Sequence, residues 1–174
     1  MNSQAQPWVE EQDAIQQLAL EECVKRQRVE HDVRVLILPA GRCRLAGRFA
    51  QLGARVTVAD EPSQQQEIEN RILAAGLQGM IRFAPAQSPS PPEEGDEVRY
   101  DIIVLRRGLC HLPYAQGKEK IRQLMKKLRI GGKLYLSVLG LHSELSQGYA
   151  DSEATIDQRF APLAPALAKK YGIH

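Results

Sequence analysis

Val35–Asp60 reads VLILPAGRCRLAGRFAQLGARVTVAD, and this stretch decides the fold. Val33–Leu38 is a short apolar run rich in β-branched residues, the composition of a strand covered on both faces. Pro39-Ala40-Gly41 breaks it. Leu45, Phe49 and Leu52 then recur at helical spacing, with Gly53 placed to end that helix. Ala54–Ala59 is again strand-like and stops at Asp60-Glu61-Pro62. Strand, loop, helix and strand within 26 residues describe one βαβ unit, whose crossover makes the two strands parallel.

Working outward, the alternation continues. Upstream, Ile15, Leu18, Ala19 and Cys23 lie at helical spacing within 13–28. Downstream, Ser63 and Gln66 fit a capping box, and Ile68, Ile72 and Ala75 supply a helical stripe closed by Gly76. Met80–Phe83 is a short third strand. Residues 85–97 are proline- and acid-rich without periodicity and read as a surface loop. Tyr100–Leu105 is a fourth strand and Arg106–Pro113 a loop. Ile121, Leu124, Met125 and Leu128 mark a helix over 117–130, which Gly131-Gly132 ends. Lys133–Leu139 is a fifth strand. After His142 no segment is strand-like, although 160–171 has helical content. The expected architecture is α/β, a mostly parallel sheet with helices on both faces. It divides into an N-terminal helical extension (1–32), a sheet domain (33–140) and a tail or connector (141–174).

Composition narrows the function classes. The 174 residues suit one domain, and a net charge of +2 marks neither a nucleic-acid nor a membrane binder. Cys23, Cys43 and Cys110 form no C-x-x-C pair, which argues against a zinc site or a disulfide framework. The polar N-terminus is unlike a secretory signal and no apolar run reaches membrane-spanning length. A cytoplasmic location is therefore expected.

Three segments carry a family resemblance. Val35–Asp60 resembles the first nucleotide-binding segment of class I S-adenosylmethionine-dependent methyltransferases. Asp101–Leu112, DIIVLRRGLCHL, resembles their fourth strand and the loop after it. Leu128–Val138, LRIGGKLYLSV, resembles their glycine turn into the fifth strand. The resemblance implies a Rossmann-like methyltransferase fold lacking its last two strands, with S-adenosylmethionine as cofactor. It makes Gly41 the central glycine of the cofactor loop, Asp60 the ribose-binding acid with Glu61 beside it, and Gln87 a polar neighbour of the adenine. Arg106 and Arg107 then open a loop of catalytic or substrate-contacting groups. The departures are equally specific. Where the family alternates three glycines, this chain has Pro39, Gly41 and Cys43, and Ile37 stands where an acid often precedes them. Proline removes a donor, and a side chain obstructs close backbone approach.

Several residues keep two readings. Asp60 either binds ribose hydroxyls or caps a strand end. Arg42, Arg44, Arg106 and Arg107 either rim one cleft for an anionic ligand or are solvated separately. His111, beside Cys110, is either a general base or a loop anchor. Tyr149 and Arg159 either reach a substrate or belong to a surface wrap. Two functions follow: a methyltransferase of unknown acceptor, or a catalytically inactive domain of the same fold serving as a binding or assembly module. The second draws on the altered loop and on the fifth strand, whose uncovered edge invites a protein partner or a second copy.

Overall fold

The computed structural model describes residues 14–29, 32–95, 97–110, 112–138 and 155. In chain order these form α1 (Ala14–Gln27), β1 (Arg34–Leu38), α2 (Arg44–Gln51) and β2 (Arg55–Asp60). A single 3-10 turn (Pro62–Gln64) leads into α3 (Gln65–Ala74), followed by β3 (Ile81–Pro85), β4 (Tyr100–Arg106), α4 (Tyr114–Lys126) and β5 (Leu128–Ser137). The strands make one sheet in the order β3-β2-β1-β4-β5, and all four pairings are parallel.

The apolar runs occupy the middle of that sheet. Val35, Leu36 and Leu38 of β1 and Ile102 to Leu105 of β4 are wholly buried, as strands with both faces covered must be. On one face Ala19, Leu20 and Cys23 of α1, Phe49 of α2 and Ile68 and Ile72 of α3 pack on Val35, Ile37, Val56, Val58, Ile102 and Val104. On the other, Leu124 of α4 joins Leu36, Leu38, Ile103 and Leu105. Each such large side chain contributes about 1.5–3 kcal/mol by leaving water. Helices lie on both faces, as expected, and α1 shares the main core.

Three local expectations are corrected. The helix α4 starts at Tyr114 and stops at Lys126, so Leu128–Ile130 are strand. The Tyr100 N–H donates to the Lys127 carbonyl at 2.8 Å, and Tyr100 pairs with Leu128, which draws the chain into the sheet early. The register then slips, because Ile102 pairs with Lys133. Gly132 makes this irregularity possible: a Cβ there would lie 2.9 Å from the Arg129 carbonyl oxygen and 3.0 Å from that of Tyr100. Second, Ser63 and Gln66 form no capping box, since α3 has Gln64 at its N-cap and no side-chain cap bond. Third, Ala75 and Met125, assigned to buried stripes, are exposed.

The proline-rich segment is the expected loop, without helix or strand from 86 to 95, and it packs on the sheet. Ala86, Pro89 and Pro92 are buried. Glu94 accepts from the Tyr100 hydroxyl and from Arg82, and its carbonyl accepts from Lys127 Nζ at 2.9 Å. No helix lies between β3 and β4 among the described residues, and this segment fills part of the second sheet face instead.

Five strands are found among the described residues, with β5 paired only to β4. None of the described helices is long and apolar enough to cross a membrane. His111, Tyr149 and Arg159 lie outside the described residues, as does the tail apart from Thr155.

Candidate functional site

Parallel strands bring their carboxyl ends to one edge, and a ligand crevice opens where neighbouring strands send their connections in opposite directions. Here that point lies between β1 and β4. The loop Pro39–Cys43 leaves β1 there, Asp60 ends β2, Gln87 follows β3, and Arg106 ends β4 with Arg107 next. The fold therefore gathers Gly41, Asp60, Glu61, Gln87, Arg42, Arg44, Arg106 and Arg107 along one edge.

The side chains are deployed differently from what the resemblance implies. Asp60 Oδ2 accepts the backbone N–H of Ala40 at 3.0 Å, and Oδ1 accepts that of Glu61 at 2.9 Å. The acid at the end of β2 thus holds the loop after β1. Burial pushes its carboxyl above the ordinary value of 3.8, against the opposing pull of the Glu61, Ala40 and Gly41 N–H groups. The Glu61 side chain points to solvent, and Gln87 is exposed.

The loop closes on itself. The Cys43 N–H donates to the Ala40 carbonyl at 3.2 Å, and the Cys43 carbonyl accepts from Gly47 at 2.9 Å. Gly41 has φ 54° and Cys43 φ 60°, both in the left-handed region. Glycine takes that conformation freely, whereas Cys43 takes it against the preference of an L side chain. Arg71 of α3 donates to the Gly41 carbonyl at 3.1 Å. Cys43 packs against the main core, and burial pushes its thiol up to about 11, so it is not a poised nucleophile.

The four arginines do not form an even rim. Arg42 and Arg44 are exposed, whereas Arg106 is only 8% exposed and belongs to the interior. Arg107 has φ 54°, and its backbone N–H donates to Ser137 at the end of β5.

Three positioning residues were not legible in the sequence. Arg71 reaches the loop from 30 residues away, and only the βαβ geometry joins them. Gly108 is the second: a Cβ there would come within 2.9 Å of Leu105 Cδ1 and 3.0 Å of Ser88 Oγ, so the loop after β4 needs glycine to lie on the proline-rich segment. The third is Asp101, 1% exposed, which accepts from the Arg34 N–H at 2.8 Å and from Arg129 at 2.9 Å. Its carboxylate joins the amino end of β4 to β1 and β5.

No protein-family model matches the chain, and no curated protein does. Solved structures do. The chain is similar to the glycopeptide N-methyltransferase MtfA complexed with S-adenosylmethionine, at 22% identity and TM-score 0.53 over 68% of this chain and 53% of that one. It is similar to a precorrin-6y C5,15-methyltransferase from Geobacter metallireducens GS-15, at 14% identity and TM-score 0.52 over 70% and 63%. The [4+2]-cyclase SpnF matches at 20% identity and TM-score 0.54 over 68% and 43%. The chain thus spans less than two thirds of the length of each. One of the three carries a cyclase's name, so the likeness speaks to architecture and not to activity. The described residues have the class I methyltransferase fold, with a five-stranded parallel sheet between two helix-bearing layers.

Proposed function

We propose that this chain is a methyltransferase-fold binding or assembly module that does not hold S-adenosylmethionine in the manner of that fold. The observation that carries this reading is the Asp60 carboxylate, whose two oxygens accept from Ala40 and Glu61. A ribose would have to share this carboxylate with the backbone N–H groups it already holds. The loop residues agree with this. Pro39 offers no N–H, Cys43 holds φ 60° with its side chain packed on the main core, and Arg71 donates to the Gly41 carbonyl. The loop thus departs from the three-glycine cradle at Pro39 and Cys43. The partner surface in this reading is the side of β5 left unpaired among the described residues.

A second reading is favoured by one observation. Gly41 does have a positive φ, and it shares the carboxyl edge with Asp60, Gln87 and Arg106. In that reading the chain is an S-adenosylmethionine-dependent methyltransferase, with Gly41 beside the methionine part, Asp60 at the ribose and Gln87 at the adenine.

Thermal unfolding separates the two. A ligand at ~100 times its dissociation constant stabilises a folded protein by about 2.7 kcal/mol. The proposed function expects no rise in Tm with S-adenosylmethionine or its demethylated product. A dose-dependent rise overturns the proposed function and favours the second reading.

A further inference from the structure

A different cleft lies at the opposite, amino edge of the sheet. Its volume is about 370 Å³, and Arg34, Arg55, Arg82, Gln78, Thr57 and Tyr100 are its polar lining residues. Among the described residues no acidic side chain lines it. It exists because β3 and β4 are joined without a helix among the described residues, leaving this part of the sheet uncovered.

Arg34 and Arg55 are paired in register across β1 and β2. Like charges placed side by side on neighbouring strands are destabilising. Asp32 offsets this from outside the cleft, with its carboxylate 3.2 Å from Arg34 Nε and 3.0 Å from Arg55 Nε. Arg82, two residues further along and paired in register with Thr57, is matched by Glu94, which also stands outside the lining. Both carboxylates thus fix guanidinium groups without entering the space those groups border. Thr57 and Tyr100 are 3% and 2% exposed, and Arg82 Nη2 lies 3.3 Å from the Tyr100 hydroxyl. Val56, Met80, Ile81 and Val98 complete the wall with apolar surface.

We propose that this cleft binds a small organic phosphate ester, its phosphate held by Arg34, Arg55 and Arg82 and its organic part against the apolar wall. Guanidinium forks match phosphate oxygens in geometry and are the strong form of this contact. A volume of about 370 Å³ suits a small molecule. The site is independent of the loop after β1, which lies at the carboxyl edge.

The test is calorimetric titration of the full chain with phenyl phosphate. Saturable binding is expected, weakening as sodium chloride is raised because partly exposed charges are screened. Arg55→Ala should weaken it roughly tenfold, the loss expected for one charge-assisted hydrogen bond. Arg55 is largely exposed, so the variant should stay folded, and Gln78→Ala provides a second variant on another wall with a smaller loss. Absence of binding by the unmodified chain overturns the proposal. So does unchanged affinity in both variants, or loss of binding in Arg44→Ala alone, which would place the phosphate at the carboxyl edge.

Discussion

Asp60 and Ala40 are joined by a hydrogen bond of 3.0 Å from the Ala40 N–H to Asp60 Oδ2, so the end of β2 clamps the exit of β1. Removing the acceptor leaves the N–H of buried Ala40 unpaired. Asp60→Ala should lower unfolding stability by about 1–3 kcal/mol in urea titrations, the cost of an unsatisfied buried group. An unchanged midpoint would remove Asp60 from its clamping role.

The same carboxyl titrates above its ordinary value of 3.8 because it is buried. In the folded chain its ionised form is disfavoured, so Asp60 costs stability above its folded pKa. That cost disappears as pH falls through the folded pKa towards 3.8. Carboxyl carbon NMR of the Asp60 resonance should give a midpoint above 3.8. A midpoint below it would mean that the three N–H groups outweigh burial.

Glu22 behaves in the opposite sense. Its carboxylate accepts from Lys133 Nζ at 2.7 Å and from Arg26 Nε at 2.9 Å, tying α1 to β5. The Lys133 hydrogen bond is the main cause of a pKa held below 4.5. The resulting stability is present above 4.5 and is lost as pH falls through the lowered value. Lys133→Ala should therefore destabilise the chain near neutrality, with the difference from the unmodified chain shrinking in acid. A difference that is flat with pH would contradict the pairing.

Gly132 cannot accept a side chain without backbone movement at the Tyr100–Leu128 irregularity. Gly132→Ala should cost more than ~1 kcal/mol, as incompatible glycine replacements do. Gly131→Ala at φ 77° meets no atoms within 4 Å, so any loss there comes from backbone strain alone. Equal, negligible losses at both positions would contradict the described register.

How far the sequence discloses this architecture depends on where each signal resides. The runs Val35–Leu38 and Ile102–Leu105 announce buried central strands because burial on both faces leaves no choice of residue. The start of β5 is hidden, since Leu128 continues the spacing of Ile121 and Leu124, and only pairing with Tyr100 turns it into strand. Gly41, Asp60 and Gln87 are legible as carboxyl-edge residues because strand ends fix them. The bond from Asp60 back to Ala40 is not, because it depends on loop dihedrals. Asp101 and Arg71 escape notice for the same reason, as their partners are 28 to 67 residues away.

The side of β5 left unpaired among the described residues gives a further prediction. Ile130 within β5 is fully exposed, and Val138, just past its end, is 56% exposed. An uncovered edge invites pairing. Light scattering of the full chain should show a dimer or larger species, unless residues 139–174 cover that edge. A monomer whose β5 amides exchange as freely as those of a solvent-open strand would refute this.

The central claim is that the carboxyl-edge loop is satisfied by its own chain. Calorimetric titration of the intact protein with the demethylated product of S-adenosylmethionine tests it most directly. The account predicts no saturable heat, in the unmodified chain and in Asp60→Ala alike. Saturable micromolar binding that Asp60→Ala weakens by about 1.5–3 kcal/mol, the range for a hydrogen bond to a charged group, would contradict it.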